Sequence, residues 1–307
     1  MKTMRRGGDA NGPSAAGAVP APVPHVASGD LVVGQPIDLV VLERRTAVLR
    51  CRPVGTDRHV SLRTAVRDEV PGSIITVTPT KSWTYGRHPY LSGKVEQMRI
   101  DAALLGLTPL ALRDEGEWSP DDDFRGEDRE QLEAFYKPII ARGRRPQYEM
   151  EQVLPGVAPD DFDTDPILDA VDLRAAGDPG AAHALLSKLL TLDLRCLDAH
   201  AHLASGYFRN LPQLAAQHYA VGAAIGELSL GPSFEGVLAW GLIDNRPYLR
   251  CLHGLGLCSW RLGDFRRAKE VFTRMLWLNP ADHQGVRGCL SAVEDGRPWE
   301  PDADDEE

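Results

Sequence analysis

The chain has 307 residues, 43% of them hydrophobic, with a net charge of −10. That length and apolar content suit about two domains with real cores and exclude a wholly unstructured acidic chain. No apolar run approaches the ~18 residues that cross a bilayer, so no membrane partner is expected.

Residues 1–29 are dominated by Gly, Pro and Ala and lack the continuous apolar stretch of a secretory leader. They read as a flexible tail. Residues 30–112 read as a small β-barrel-like module. Short runs rich in Val, Ile, Leu and Thr at 36–42, 46–54, 59–66, 73–79 and 90–100 are separated by breaks at 55–57, 70–72 and 85–87. Such spacing predicts strands joined by tight turns. One helical turn is expected at 101–106 and a last strand at 107–112. Five or six strands of this length fit an SH3-like or an OB-like barrel. The module is also basic: residues 30–100 hold eleven Lys/Arg against seven Asp/Glu, so the acidic excess lies elsewhere.

Residues 113–164 read as an acidic linker with one helix at 128–142, interrupted by Pro138. A helical domain is expected over 165–295, followed by an acidic tail at 296–307. The overall class is therefore α+β and multidomain. Within 250–280, Leu252, Leu255 and Gly256 fall on a first helix, and Gly263 and Phe265 at a turn. Ala268, Phe272 and Met275 fall on a second helix, and Pro280 closes the unit. Two weaker copies precede it, carried by Gly177, Ala182, Leu186 and Leu189, and by Leu203, Tyr207, Ala216 and Ala223. Residues 230–246 interrupt the array, and 282–294 predict a terminal helix.

These positions resemble the tetratricopeptide (TPR) family, closely in the third unit and more loosely in the first two. The resemblance covers roughly 165–295. It departs at Ser259, where an aromatic is usual, and at Leu194, where a closing proline is usual. It implies stacked helical hairpins with a concave groove that binds a protein partner. By the family's spacing that groove is lined by Arg250, His253, Leu257, Trp260 and Arg261 in the third unit. Ala201, Ser205, Phe208 and Arg209 line it in the second. Arginines around exposed aromatics suit an acidic or C-terminal peptide. The competing expectation is that Trp260 packs under 231–246 and the groove is closed. The carboxylates of 302–307 raise a further expectation, that the tail occupies this basic groove.

Lys81, Trp83, Tyr85, Arg87, His88 and Tyr90 interleave bases and aromatics within the β module. That composition suits stacking on single-stranded RNA. The competing expectation is that Trp83 and Tyr85, two apart on a strand, share one face and fill the barrel or its interface with the helices. An aromatic face left open favours nucleic acid, and one docked onto the helices favours a scaffold.

No phosphate-loop, nucleophile-elbow or zinc-protease pattern is present. Asp121-Asp122-Asp123 reads as solvated, and Gly254-Leu255-Gly256 as close helix packing. His200 and His202 point about 200° apart on a helix, so one metal cannot take both. Five cysteines without a C-x-x-C pair suit buried thiols in a reducing cytoplasm. No enzyme, cofactor or metal is expected. The leading expectation is a cytoplasmic adaptor working through the groove, and the second is an RNA- or ribosome-associated factor working through the β module. At a helix start, Asp244 or Asn245 is expected to cap the chain, with Pro247 in the first turn.

Overall fold

The computed structural model describes residues 31–124, 133–158, 161 and 163–300. The N-terminal tail and residues 301–307 of the acidic tail lie outside the described residues, as does the first part of the helix expected at 128–142.

The first unit is a five-stranded sheet: β1 (Ile37–Arg44), β2 (Val48–Pro53), β3 (Val60–Arg63), β4 (Ile74–Tyr85) and β5 (His88–Arg99). The pairings run β1-β2-β3-β5-β4 and return from β4 to β1. All are antiparallel except β3 with β5. β4 continues past Pro79, where its register with β5 shifts, so the strand runs six residues beyond the expected end at 79. A bulge is where a strand tolerates a proline. The expected helical turn is a short 3-10 turn, Ala102–Leu105, capped by Asp101.

Alternation along β1 divides its side chains between two cores. Leu39 and Val41 join Leu49, Cys51, Val60, Leu62, Ile75, Val77 and Leu91 inside the sheet. Val40 points the other way and, with Val70 and Ile74, enters the core of the helical unit. The period-2 rule thus makes one strand serve two cores. Gly72, at φ +90°, lets the 70–72 turn meet Val221, with which a Cβ would collide. The sheet is therefore docked on the helices along β1 and the start of β4.

The described part of the stretch 113–164, expected as a linker, is built into the structure. β6 (Leu112–Trp118) pairs with β7 (Arg145–Met150). Between them lie α1 (Pro120–Asp123) and α2 (Tyr136–Arg142). The acidic residues that suggested a linker are the solvent side of β6, whereas Trp118, Tyr136, Ile139 and Met150 are buried. Gly116, at φ +93°, sits where the β6–β7 register shifts and breaks the alternation by which a strand is recognised.

Seven helices follow: α3 (Pro166–Ala175), α4 (Pro179–Leu192), α5 (Leu197–Phe208), α6 (Pro212–Leu230), α7 (Arg246–Arg261), α8 (Phe265–Leu278) and α9 (Val286–Glu294). Each packs on the next, and α5 also packs on α7. Asp165, Asp178 and Asp264 cap α3, α4 and α8 through their side chains. Leu252, Leu255, Ala268, Phe272 and Met275 are all buried. Gly254 and Gly256 bring α7 close to its neighbours, since a Cβ there would overlap the rings of Tyr219 and Phe272 respectively. Glu227 ties three helices together. It accepts from Tyr248 Oη at 2.6 Å and from Arg274 Nε at 3.0 Å.

The segment 231–246 crosses the array. Leu238 N donates to Leu278 O at 2.8 Å, and Val237 bridges to Gln147. Asn245 is not the side-chain cap expected at the start of α7. Fully buried, it accepts from Met150 N at 2.8 Å and donates to Tyr148 O at 3.0 Å and Ala239 O at 3.1 Å. It thereby fastens β7 and the crossing segment to α7.

Candidate functional site

Two surfaces drew attention in the sequence, and they have different fates. The first is the β4–β5 hairpin. Its register sets Trp83 opposite Tyr90 and Tyr85 opposite His88. The Trp83 and Tyr90 rings stack at 5.5 Å with 11° between planes. Arg63, at the end of β3, lies over Trp83 at 5.5 Å. His88 meets Tyr90 edge-on at 5.1 Å, and its Nε2 is 2.9 Å from Ser61 Oγ. Lys81, Tyr85 and Arg87 are exposed, Tyr85 at 78% of its surface.

The expectation that Trp83 and Tyr85 fill the barrel or its interface is overturned. The interior is already taken by aliphatic side chains from β1 to β5, and the docked face by Val40 and Ile74. The hairpin carries its aromatics beyond both. Arg63 and Ser61 escaped the sequence reading. They join the face only because β3 and β5 pair in parallel, which places Ser61 beside Tyr90. Local spacing carries no trace of that pairing.

The second surface is the expected groove, and most of its side chains are already engaged. Arg250 pairs with the buried Asp198 at 2.9 Å and lies 5.8 Å from the Trp240 ring. Burial pushes His253 down to about 4, so it is neutral near pH 7. Leu257 packs on the helical core, and Ala201 is buried. Arg261 donates to Phe208 O, and to Arg209 O at 2.9 Å. These are carbonyls at the end of α5, where a cation is favoured. Arg209 and Ser205 are exposed.

Residues 297–299 lie across the same groove. Trp299 meets Phe208 edge-on at 6.0 Å, and the Arg261 guanidinium sits 4.7 Å from its ring. Trp260 Nε1 donates to Arg297 O at 2.7 Å. The expected burial of Trp260 under 231–246 is therefore replaced by a contact with the C-terminal segment. From that crossing segment it is Trp240 that reaches the groove, stacked under Arg246 and Arg250. Trp299 escaped the sequence reading because it stands alone among Pro, Arg and acidic residues.

The remaining polar clusters have structural partners. His200 Nδ1 is 3.3 Å from His218 Nδ1, both rings buried, while His202 faces Asp198 at 4.0 Å. Among the described residues no group of His, Cys, Asp and Glu is placed to hold a metal ion, and no helix is long and apolar enough to cross a membrane. Arg145 is buried between Trp118 and Trp277, 4.8 and 4.4 Å from their rings. It donates to Trp277 O at 2.8 Å. Burial lowers its pKa to about 10, so the guanidinium remains charged and braces β7 against α8. Comparison with protein-family models and with curated proteins finds no match to this chain.

Proposed function

We propose that the protein is a non-catalytic binding protein whose β module holds single-stranded nucleic acid, RNA foremost, on its β4–β5 hairpin. The half-exposed Trp83–Tyr90 stack under Arg63, outside both cores, carries this reading. Bases stack on such rings without sequence preference, and nearby cations hold the backbone. Lys81 and Arg87 supply those charges at the hairpin. The strand order β1-β2-β3-β5-β4, with β3 and β5 parallel, is that of an OB-like barrel rather than an SH3-like one. OB-folds bind oligonucleotides on the β2–β3 face and on the loops after β1 and β4. Here that face lies away from the side docked through Val40 and Ile74, and its Arg50 end borders the cleft beside α4.

The helical unit reads as three TPR-like hairpins, α3–α4, α5–α6 and α7–α8, that recruit a protein partner. A specific observation favours this second role. Trp299 seated between Phe208 and Arg261 supports it: an aromatic side chain on a segment whose Arg297 carbonyl accepts from Trp260. With Arg250 already paired to Asp198, an aromatic peptide suits the groove better than the purely acidic peptide expected from its arginines.

The test is fluorescence anisotropy with a labelled single-stranded oligonucleotide at low salt. Binding should weaken steeply as salt rises. Trp83→Ala should cost ~1–3 kcal/mol of affinity per lost stack, with unfolding unchanged. No binding at micromolar protein would remove the nucleic-acid reading and leave the helical surface as the protein's working part.

A further inference from the structure

We propose that the cleft between the β1–β2 hairpin and α4 is a phosphate-binding site. It measures about 470 Å³ and is walled by Arg44, Arg45 and Arg50 on one side and by Lys188 and His183 of α4 on the other. That volume is within the range of small-ligand sites. Glu43 is the single carboxylate among the lining residues, so four cations face one anion.

The state of each cation matters more than their number. Glu43 is shared between Arg45 at 2.7 Å and Arg50 at 3.1 Å, so neither arginine has a carboxylate to itself. Arg44 donates to Arg67 O at 2.8 Å and faces no carboxylate among the described residues. Lys188 is exposed and makes no hydrogen bond or ion pair among the described residues. His183 titrates below its usual range, chiefly through burial and then through Arg44, and Arg44 also acts on His218 and Tyr207. Neutral donors stand beside the cations: the Tyr207–His183 pair, whose Oη and Nε2 are bonded at 2.7 Å and leave one hydrogen between them to give, and the hydroxyl of Ser187. Guanidinium forks beside hydroxyl donors match a phosphate, with its multiple charged oxygens, better than a single carboxylate.

Two sources supply that chemistry: a free phosphorylated small molecule, or the backbone of a bound strand. The register joins the cleft to the hairpin face, since Arg50 pairs with Ser61, Ser61 with Tyr90, and Tyr90 with Trp83. A strand whose bases stack on Trp83 and Tyr90 could thus run across β3 and β2 and place its phosphates in the cleft. This source rests on the function proposed above, whereas the phosphate site itself does not.

The experiment titrates inorganic pyrophosphate by calorimetry, and a labelled single-stranded oligonucleotide by anisotropy, into the full chain and its Lys188→Glu and Lys188→Gln variants. Lys188 is exposed, so neither variant removes buried packing, and circular dichroism checks the fold. Lys188→Glu should weaken phosphate-dependent binding by about tenfold or more, with Lys188→Gln in between. If the oligonucleotide is the source, Lys188→Gln should also reduce its log-affinity against log-salt slope by about 0.7, the share of one phosphate contact. Pyrophosphate binding that depends on Lys188, with oligonucleotide binding that does not, assigns the cleft to a free phosphorylated ligand. The same result with no oligonucleotide binding at all keeps the cleft and discards the hairpin reading. No pyrophosphate binding at millimolar concentration, together with oligonucleotide affinity indifferent to Lys188, overturns the phosphate site while leaving the hairpin reading in place.

Discussion

Replacing Asn245 separates two roles that look alike in sequence. As a helix cap, Asn245 would lose about 0.5–2 kcal/mol on change to Ala, and Asp would serve nearly as well. The structure gives it another task. Its amide makes three hydrogen bonds in a fully buried site, to Met150 N, Tyr148 O and Ala239 O. Asn245→Ala leaves the Met150 N–H without its partner, at about 1–3 kcal/mol, and two carbonyls less well satisfied. The expected loss is about 3–5 kcal/mol. Asn245→Asp should be no milder near pH 7, because a carboxylate would face two carbonyl oxygens and has no hydrogen to give. Its penalty relative to the parent protein should shrink at lower pH, where a protonated carboxyl regains one donor. Equilibrium urea unfolding followed by tryptophan fluorescence measures all three proteins at matched pH. A loss below about 1 kcal/mol for Asn245→Ala, or a harmless Asp, would refute the fastening role and restore the cap.

Ala268→Leu should cost ~1–3 kcal/mol in the same assay, because Ala268 is fully buried and extra methyl groups must displace the core of α8; an unchanged midpoint would mean slack packing there. Acid should weaken the fold before the carboxylates titrate. Burial holds His200 at about 3 and His253 at about 4 and lowers His218, so the folded state keeps all three neutral. The unfolded chain protonates them near pH 6.5 and then binds more protons than the fold. Stability should therefore be full above about pH 7 and fall as pH drops, by up to about 1.4 kcal/mol per pH unit for each histidine. Thermal unfolding midpoints at pH 7.5 and 5.5 check this, and equal midpoints would contradict it.

How much was legible beforehand depended on whether the deciding contact is local in sequence. The strands of the β module announced themselves through β-branched residues and turn breaks. The α7–α8 pair did so through Gly256, Ala268 and Phe272, whose spacing is a local property of a helical hairpin. β6 was hidden because its outward residues are acidic and Gly116 breaks the alternation, so a strand packed against buried Trp118 looked like a linker. Asn245 was misread because its three partners lie on residues 148, 150 and 239. Arg250 and Arg261 had the expected positions, but Asp198 pairs the first and the carbonyls of Phe208 and Arg209 hold the donors of the second.

The same distinction bears on function. Lys81, Trp83, Tyr85, Arg87 and Tyr90 form a cluster in sequence, yet a cluster alone does not separate a binding face from a packed one. What separates them is which side of the sheet the helices cover. Val40 and Ile74 answer that by joining the helical core from β1 and β4. This leaves Arg63 and Tyr90, on β3 and β5, away from the docked core, while Arg50 of β2 reaches the cleft beside α4. Had the helices docked on β2 and β3 instead, the same aromatic residues would be interface packing. The docking side of the sheet therefore decides the reading more than the composition of the hairpin does. A substitution that loosens the docking, such as Gly72→Ala against Val221, should disturb stability while sparing the hairpin's own stacking surface.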